Sequence, residues 1–264
     1  MTTWASALGR RDPVVKFIVA LVLSLLLVLV IDPITPLLFL ALTLVAAMTF
    51  GGVGLRGYLR ALAVLAVVGL GFVWSNALLA NAPGSAPLFV WGPLRVSEAG
   101  LRFGIAIALR GLAIGALSLT FVFTTDPTRF AVSLARNARV PDRIAYPLIA
   151  AYRFLPFLSD EYAQIQLAQR VRGAAETGVL AGLTHRLREL VPLFATAVRR
   201  ATRVAVAMDA RGFAGASSRT YYRETPIGPA DVVFAVVTIA CALGLLWLSA
   251  SAGWLRLWDG RFSA

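Results

Sequence analysis

The sequence predicts an all-α, polytopic membrane helix bundle of about five spans, with a helical module on the cytoplasmic side between the last two spans. Hydrophobic residues make up 59% of the 264-residue chain and its mean hydropathy is +0.78, whereas a soluble domain holds roughly 45–50% apolar residues. Five apolar runs approach the roughly 20 residues that a helix needs to cross a bilayer. A polar, arginine-rich stretch, 126–225, is far too long for an ordinary connection. The chain therefore divides into spans 1–4 (1–125), a polar helical module (126–225) and a last span with its tail (226–264).

The first apolar run, VVKFIVALVLSLLLVLVI from Val14, has two readings. Arg10-Arg11 before it resembles a twin-arginine export signal. The run is long, however, and meets Asp32-Pro33 with no small-x-small cleavage site, which favours a retained anchor. The second run, from Pro36 to Phe50, is short. The third starts at Ala61, the fourth at Phe103 and the fifth at Ala230.

Cytoplasmic loops carry an excess of Arg and Lys. Arg10, Arg11 and Lys16 precede or open the first span, and Arg56 and Arg60 follow the second. Fifteen arginines lie between Asp126 and Thr225 against eight acids, a net +7 of the chain's +12. The N terminus, the second loop and the polar module are thus placed inside the cell.

Within the module, Asp126-Pro127 offers an N-cap and a preset first-turn φ for a helix running to about Arg139, where Val140-Pro141 breaks it. The next stretch, IAYPLIAAYRFLPFL, is interrupted by Pro147, Arg153 and Pro156 and is expected to lie against the membrane face rather than to span. Beyond it the stripe Leu158, Tyr162, Ile165 carries the helix toward Arg172-Gly173. In the following helix Leu190, Phe194, Ala197, Ala201, Val204 and Met208 recur at steps of three and four. They predict one apolar face, opposite Arg199 and Arg203, on a helix ending at Arg211-Gly212.

Two polar helices thus end on Arg-Gly. Gly is a normal residue to close a helix in the left-handed conformation, and Arg complements the negative end of the helix dipole. The same geometry also suits docking, because a planar guanidinium at a helix tip can pair bidentately with carboxylates of a partner.

RFLPFLSDEYAQIQLAQRVRG (Arg153 to Gly173), LVPLFATAVRRATRVAVAMDARGF (Leu190 to Phe213), TTDP after the fourth span and RTYY at Arg219 to Tyr222 together resemble the transmembrane coupling component, or T component, of energy-coupling factor (ECF) transporters, the CbiQ/EcfT family. The resemblance covers nearly the whole chain. It implies that the module is a cytoplasmic coupling module whose two helices end in Ala-Arg-Gly-like signatures that dock into two ATPase subunits, the A components. Arg172 and Arg211 then take the docking roles, with Gly173 and Gly212 closing the helices. Ala210-Arg211-Gly212 matches the signature fully, whereas Val171 puts a bulkier residue where the family has Ala. The resemblance further implies a separate substrate-binding S component for a vitamin or a metal ion such as cobalt or nickel, in the cell membrane of a prokaryote.

The residues agree with this division of labour. A Walker A loop needs a Lys beside Ser or Thr after a glycine-rich turn, and Lys16 is the only lysine. One histidine, His185, and one cysteine, Cys241, make no Cys/His metal cluster. No catalytic residue, cofactor or metal is expected. In the fourth span Gly104, Ala108, Gly111 and Gly115 form a small-residue stripe for close helix packing or a contact with the S component. Arg110, on another face of that span, is an intramembrane charge that must meet a partner or water; a structural bond to a neighbouring span is expected.

Three other classes fit the residues less well. An intramembrane enzyme needs paired carboxylates or a His motif, and only Asp32, Asp126 and Asp231 lie near span edges, each explicable as a cap or turn. A self-sufficient membrane carrier or channel needs a polar lining, and the spans carry only Arg110 and scattered Ser, Thr and Asn. Nucleic-acid binding is disfavoured because acids are interspersed among the arginines; contact with membrane lipid is compatible with coupling.

Overall fold

The computed structural model describes residues 6–79, 87–91, 94–138, 140, 142–171, 179–212 and 227–254. It resolves into two compact units, Met1–Ser133 with Thr225–Ala264, and Leu134–Glu224. The division falls inside a helix, so the polar unit begins eight residues later than the change in composition at Asp126.

The first unit holds α1 (Pro13–Val28), α2 (Ile34–Thr49), α3 (Leu55–Leu79), α4 (Glu98–Thr124), the opening turns of α5 (Pro127–Asn137), and α8 (Pro229–Ser251). α3, α4 and α8 are long and apolar enough to cross a membrane. α1 and α2 have 16 residues each, about 24 Å at roughly 1.5 Å per residue, short of the ~30 Å hydrocarbon core. The first apolar run is longer than its helix because the chain turns after Val28: Asp32 Oδ2 accepts the Thr35 N–H at 2.7 Å and opens α2. The expected five spans are therefore three full-length helices and two shorter apolar ones.

Between α3 and α4 the sequence suggested no element, yet the chain forms a short antiparallel hairpin, β1 (Pro87–Trp91) and β2 (Leu94–Ser97), with Trp91 opposite Leu94. Aromatic and β-branched residues in these short runs suit strands. Ser97 ends the hairpin and caps α4, its Oγ accepting the Gly100 N–H at 3.0 Å.

α1, α2, α4 and α8 share a core of Val19, Leu23, Leu27, Phe39, Ala113 and Ala242. A second cluster joins Ala47, Val53, Tyr58 and Ala116. Outward-facing residues remain apolar: Val67 is 69% and Trp247 73% exposed, as lipid-facing side chains are. At one end of the unit Phe17, Phe121 and Phe130 stack with centroids 5.4–5.7 Å apart, joining α1, α4 and α5.

The second unit is built on α6 (Asp142–Val171) and α7 (Val179–Ala210). α6 runs unbroken through Pro147 and Pro156, and α7 through Pro192. Each proline removes one N–H donor, which a long helix tolerates where its neighbouring turns are intact.

Candidate functional site

The described Arg-Gly tip is built by the last turn of α7. Arg211 N–H donates to the Met208 carbonyl at 3.1 Å and Gly212 N–H to that of Asp209 at 2.9 Å. Gly212 adopts φ 76°, the left-handed conformation that costs a residue with a Cβ roughly 1–2 kcal/mol. Ala210, Arg211 and Gly212 are all exposed. The guanidinium thus stands in solvent at the end of a 32-residue helix. α6 ends at Val171, whose side chain is 89% exposed. Arg172 and Gly173 follow directly and lie outside the described residues.

Behind the tip, α6 and α7 pair through polar and aromatic contacts. Tyr162 Oη donates to Glu189 Oε2 at 3.0 Å, and Glu189 is buried. The Arg200 guanidinium lies 5.8 Å from the Phe154 ring centroid and 5.3 Å from that of Phe157. A shallow groove beside these rings sets Arg199, Arg200 and Arg203 against Glu161 alone, so its lining is cationic. Leu158, Tyr162 and Ile165 are half-buried, as the α6 stripe implies. On α7 the packed face differs from the stripe: Leu190, Ala197, Val204 and Met208 are half-buried, but Phe194 and Ala201 are exposed while Arg200 turns inward. The physical reason is that a flat guanidinium stacks on aromatic rings as an apolar side chain would.

In the first unit Arg110 Nη1 donates to the Val28 carbonyl at 2.9 Å. Val28 is the last residue of α1, and Arg110 lies midway along α4. The charge therefore satisfies a helix-end carbonyl where the short α1 stops. The small-residue stripe faces α3 in part. A Cβ on Gly104 would lie 2.9 Å from Val73 Cα and 3.0 Å from its carbonyl oxygen, and one on Gly115 would strike Leu65. Ala108 Cβ is 3.4 Å from where a Cβ would stand on Gly69. Gly111 meets nothing within 4 Å.

Sequence reasoning missed a buried polar cluster at the base of the bundle. Asp12 caps α1, its Oδ1 accepting the Val14 and Val15 N–H groups at 2.9 and 3.2 Å. Its Oδ2 accepts the Ser133 hydroxyl at 2.7 Å, and its own N–H donates to Asp231 Oδ1 at 3.0 Å. Lys16 Nζ donates to the Thr124 carbonyl at 2.9 Å and Arg129 Nη1 to that of Gly9 at 3.0 Å. Asp12, Lys16, Ser133 and Asp231 are all buried. Two signals were available: Asp12-Pro13 repeats the Asp126-Pro127 cap, and Lys16 is a lone charge in an apolar run. Asp32, Asp126 and Asp231 each accept a nearby backbone N–H.

The architecture defines a class: a polytopic membrane bundle that carries, ahead of its last span, a pair of long polar helices, one ending in an exposed arginine on a left-handed glycine. Comparison with known proteins agrees. The family described as "Cobalt transport protein", CbiQ, matches residues 5–222. The chain is 31% identical to the energy-coupling factor transporter transmembrane protein EcfT of Brevibacillus brevis, over 92% of this chain and 94% of that one. It is also 31% identical to the EcfT of Limosilactobacillus fermentum, over 90% and 92%. A putative ABC transporter ATP-binding protein of Bifidobacterium longum is 30% identical over 89% of this chain, which spans 31% of that longer protein. The chain belongs to the CbiQ/EcfT family, the transmembrane T components of energy-coupling factor transporters.

Proposed function

We propose that this chain transmits ATP-driven movement from two cytoplasmic ATPase subunits to a substrate-binding S component that takes up a vitamin or a metal ion. The observation that carries the reading is the α7 tip, where an exposed Arg211 is held at the end of a rigid helix by Gly212 in the left-handed conformation. The planar fork of a guanidinium pairs bidentately with a carboxylate and loses less entropy per hydrogen bond formed than an ammonium does. Arg172, followed in sequence by Gly173, is assigned the same role after the end of α6, whose last residue, Val171, is exposed. The Bifidobacterium longum relative supports ATPase partners, since a region like this chain lies within a longer polypeptide named as an ATP-binding protein. The excess of arginines in 126–225 supports a cytoplasmic module and a cytoplasmic N terminus in a prokaryotic cell membrane. The small residues Gly104, Ala108, Gly111 and Gly115 remain candidates for helix packing, with the open Gly111 the position available to an S component.

The test is co-purification of the tagged chain with ATPase subunits from the same genome, for the wild type and for Arg172→Ala with Arg211→Ala. The double variant is expected to insert and fold but to lose the ATPases. Retention of the ATPases by both forms defeats the docking assignment, and their absence from both defeats the transporter partnership.

A further inference from the structure

We propose that Asp12 is a positioning residue for coupling: a clamp at the start of α1 that bonds to Ser133, where the chain leaves the bundle unit, and to the first turn of α8, after it returns, so that pulls along the chain at either point are delivered to α1. The inference rests on the coupling function proposed above. It goes beyond it by naming where motion enters the bundle.

The chain leaves the bundle unit after Ser133 and returns at Thr225. Ser133, at the outgoing crossing, is fully buried and donates its hydroxyl to Asp12 Oδ2 at 2.7 Å. At the return, Asp231 in the first turn of α8 accepts the Asp12 N–H on Oδ1 and the Gly228 N–H on Oδ2, each at 3.0 Å. One residue therefore bonds to the last residue of the bundle unit before the chain leaves it and to the first turn of the helix after it returns, through its side chain to one and its backbone to the other. Its remaining carboxylate oxygen caps α1, the helix that supplies Val19, Leu23 and Leu27 to the core.

Capping alone does not explain this choice of residues. Ser, Thr or Asn caps a helix about as well as Asp, and a buried carboxylate is costly unless it is paired and hydrogen-bonded. Here Lys16 lies within electrostatic reach of Asp12, Asp231 and Arg129, so two buried carboxylates and a buried ammonium share one base with a half-buried guanidinium. Lys16 and Arg129 add bonds to the end of α4 and to the N-terminal segment, at Thr124 and Gly9. Such a cluster resists being pulled apart piecemeal, because drawing Asp12, Lys16 or Asp231 away takes a buried charge further from the opposite charges that offset its burial. Displacement of Ser133 or of the start of α8 is thereby shared with α1.

The experiment is hydrogen–deuterium exchange on the complete complex of this chain with its ATPase subunits, in lipid nanodiscs, with and without ATP and orthovanadate. In the wild type, nucleotide is expected to change exchange both in α7 and in the first turns of α1. Ser133→Ala removes the outgoing bond and leaves the α1 cap in place; the α1 response is expected to fall about fivefold, the factor one net hydrogen bond carries, while the α7 response and ATPase attachment persist. Ser133→Thr, which keeps the hydroxyl, is expected to restore the α1 response, and Asp231→Ala, which removes the acceptor of the Asp12 N–H, probes the bond to α8 in the same way. An α1 response in Ser133→Ala and Asp231→Ala equal to wild type overturns the clamp. Failure of both variants to accumulate in the membrane also overturns it, by making the cluster a folding element. Absence of any nucleotide response in wild-type α7 counts instead against the coupling function itself.

Discussion

Gly104 and Gly111 lie on one small-residue stripe of α4, yet alanine at the two positions is expected to act in opposite directions. Both changes gain helix propensity, about 1 kcal/mol for Gly to Ala in a helix interior. At Gly111 nothing lies within 4 Å of the added Cβ, so that gain stands alone. At Gly104 the Cβ would come within 2.9 Å of Val73 Cα, 3.0 Å of Val73 O and 3.2 Å of Asn76 Cβ. The first two are backbone atoms of α3 and cannot swing aside, so the helices must part. Overpacking of this kind costs typically 1–3 kcal/mol. The two variants should therefore differ by about 1–3 kcal/mol, with Gly104→Ala the less stable. Thermal unfolding of the purified chain in one detergent, followed by loss of the monodisperse peak, measures the difference. A Gly104→Ala protein as stable as Gly111→Ala refutes the close approach of α3 and α4 from which this order is derived.

Two further predictions concern stability. Tyr58 is buried, and its hydroxyl contacts the Ala116 carbonyl at 2.8 Å and Thr120 Oγ1 at 3.0 Å. Tyr58→Phe is expected to cost about 1 kcal/mol, near the low end for a lost buried bond because Thr120 also donates to Ala116; the same melting assay reads it. Arg200→Ala removes the cation from the Phe154 and Phe157 rings and is expected to loosen the α6–α7 pairing by roughly 0.5–1 kcal/mol. Limited proteolysis should then cut α6 or α7 faster, whereas Arg200→Lys should restore part of the resistance.

Much of the fold is a local property and was legible as such. Apolar runs announced α1, α2, α3, α4 and α8 because a helix in lipid is predominantly apolar along its length, with only the occasional charge that finds a partner. The Asp126-Pro127 start of α5 and the Arg211-Gly212 end of α7 were readable because caps act within one turn. The turn after Val28 shortened α1 against its apolar run, and the hairpin at 87–97 escaped notice because short strands carry little periodicity. On α7 the apolar stripe and the packed face do not coincide, since pattern alone cannot see the two rings that receive Arg200.

The sequence by itself determined that this chain is a helical membrane bundle with a long polar insertion, and its paired motifs placed it in a family. Tertiary structure alone decided which glycines are crowded, that Arg110 answers the open end of α1, and that Asp12 bonds to Ser133 and Asp231, 121 and 219 residues away in the chain. The physical reason is one of range. Hydropathy, helix periodicity and capping depend on residues within a few positions of each other, whereas pairing a buried charge or closing a helix contact depends on which distant segments the fold brings within a few ångströms.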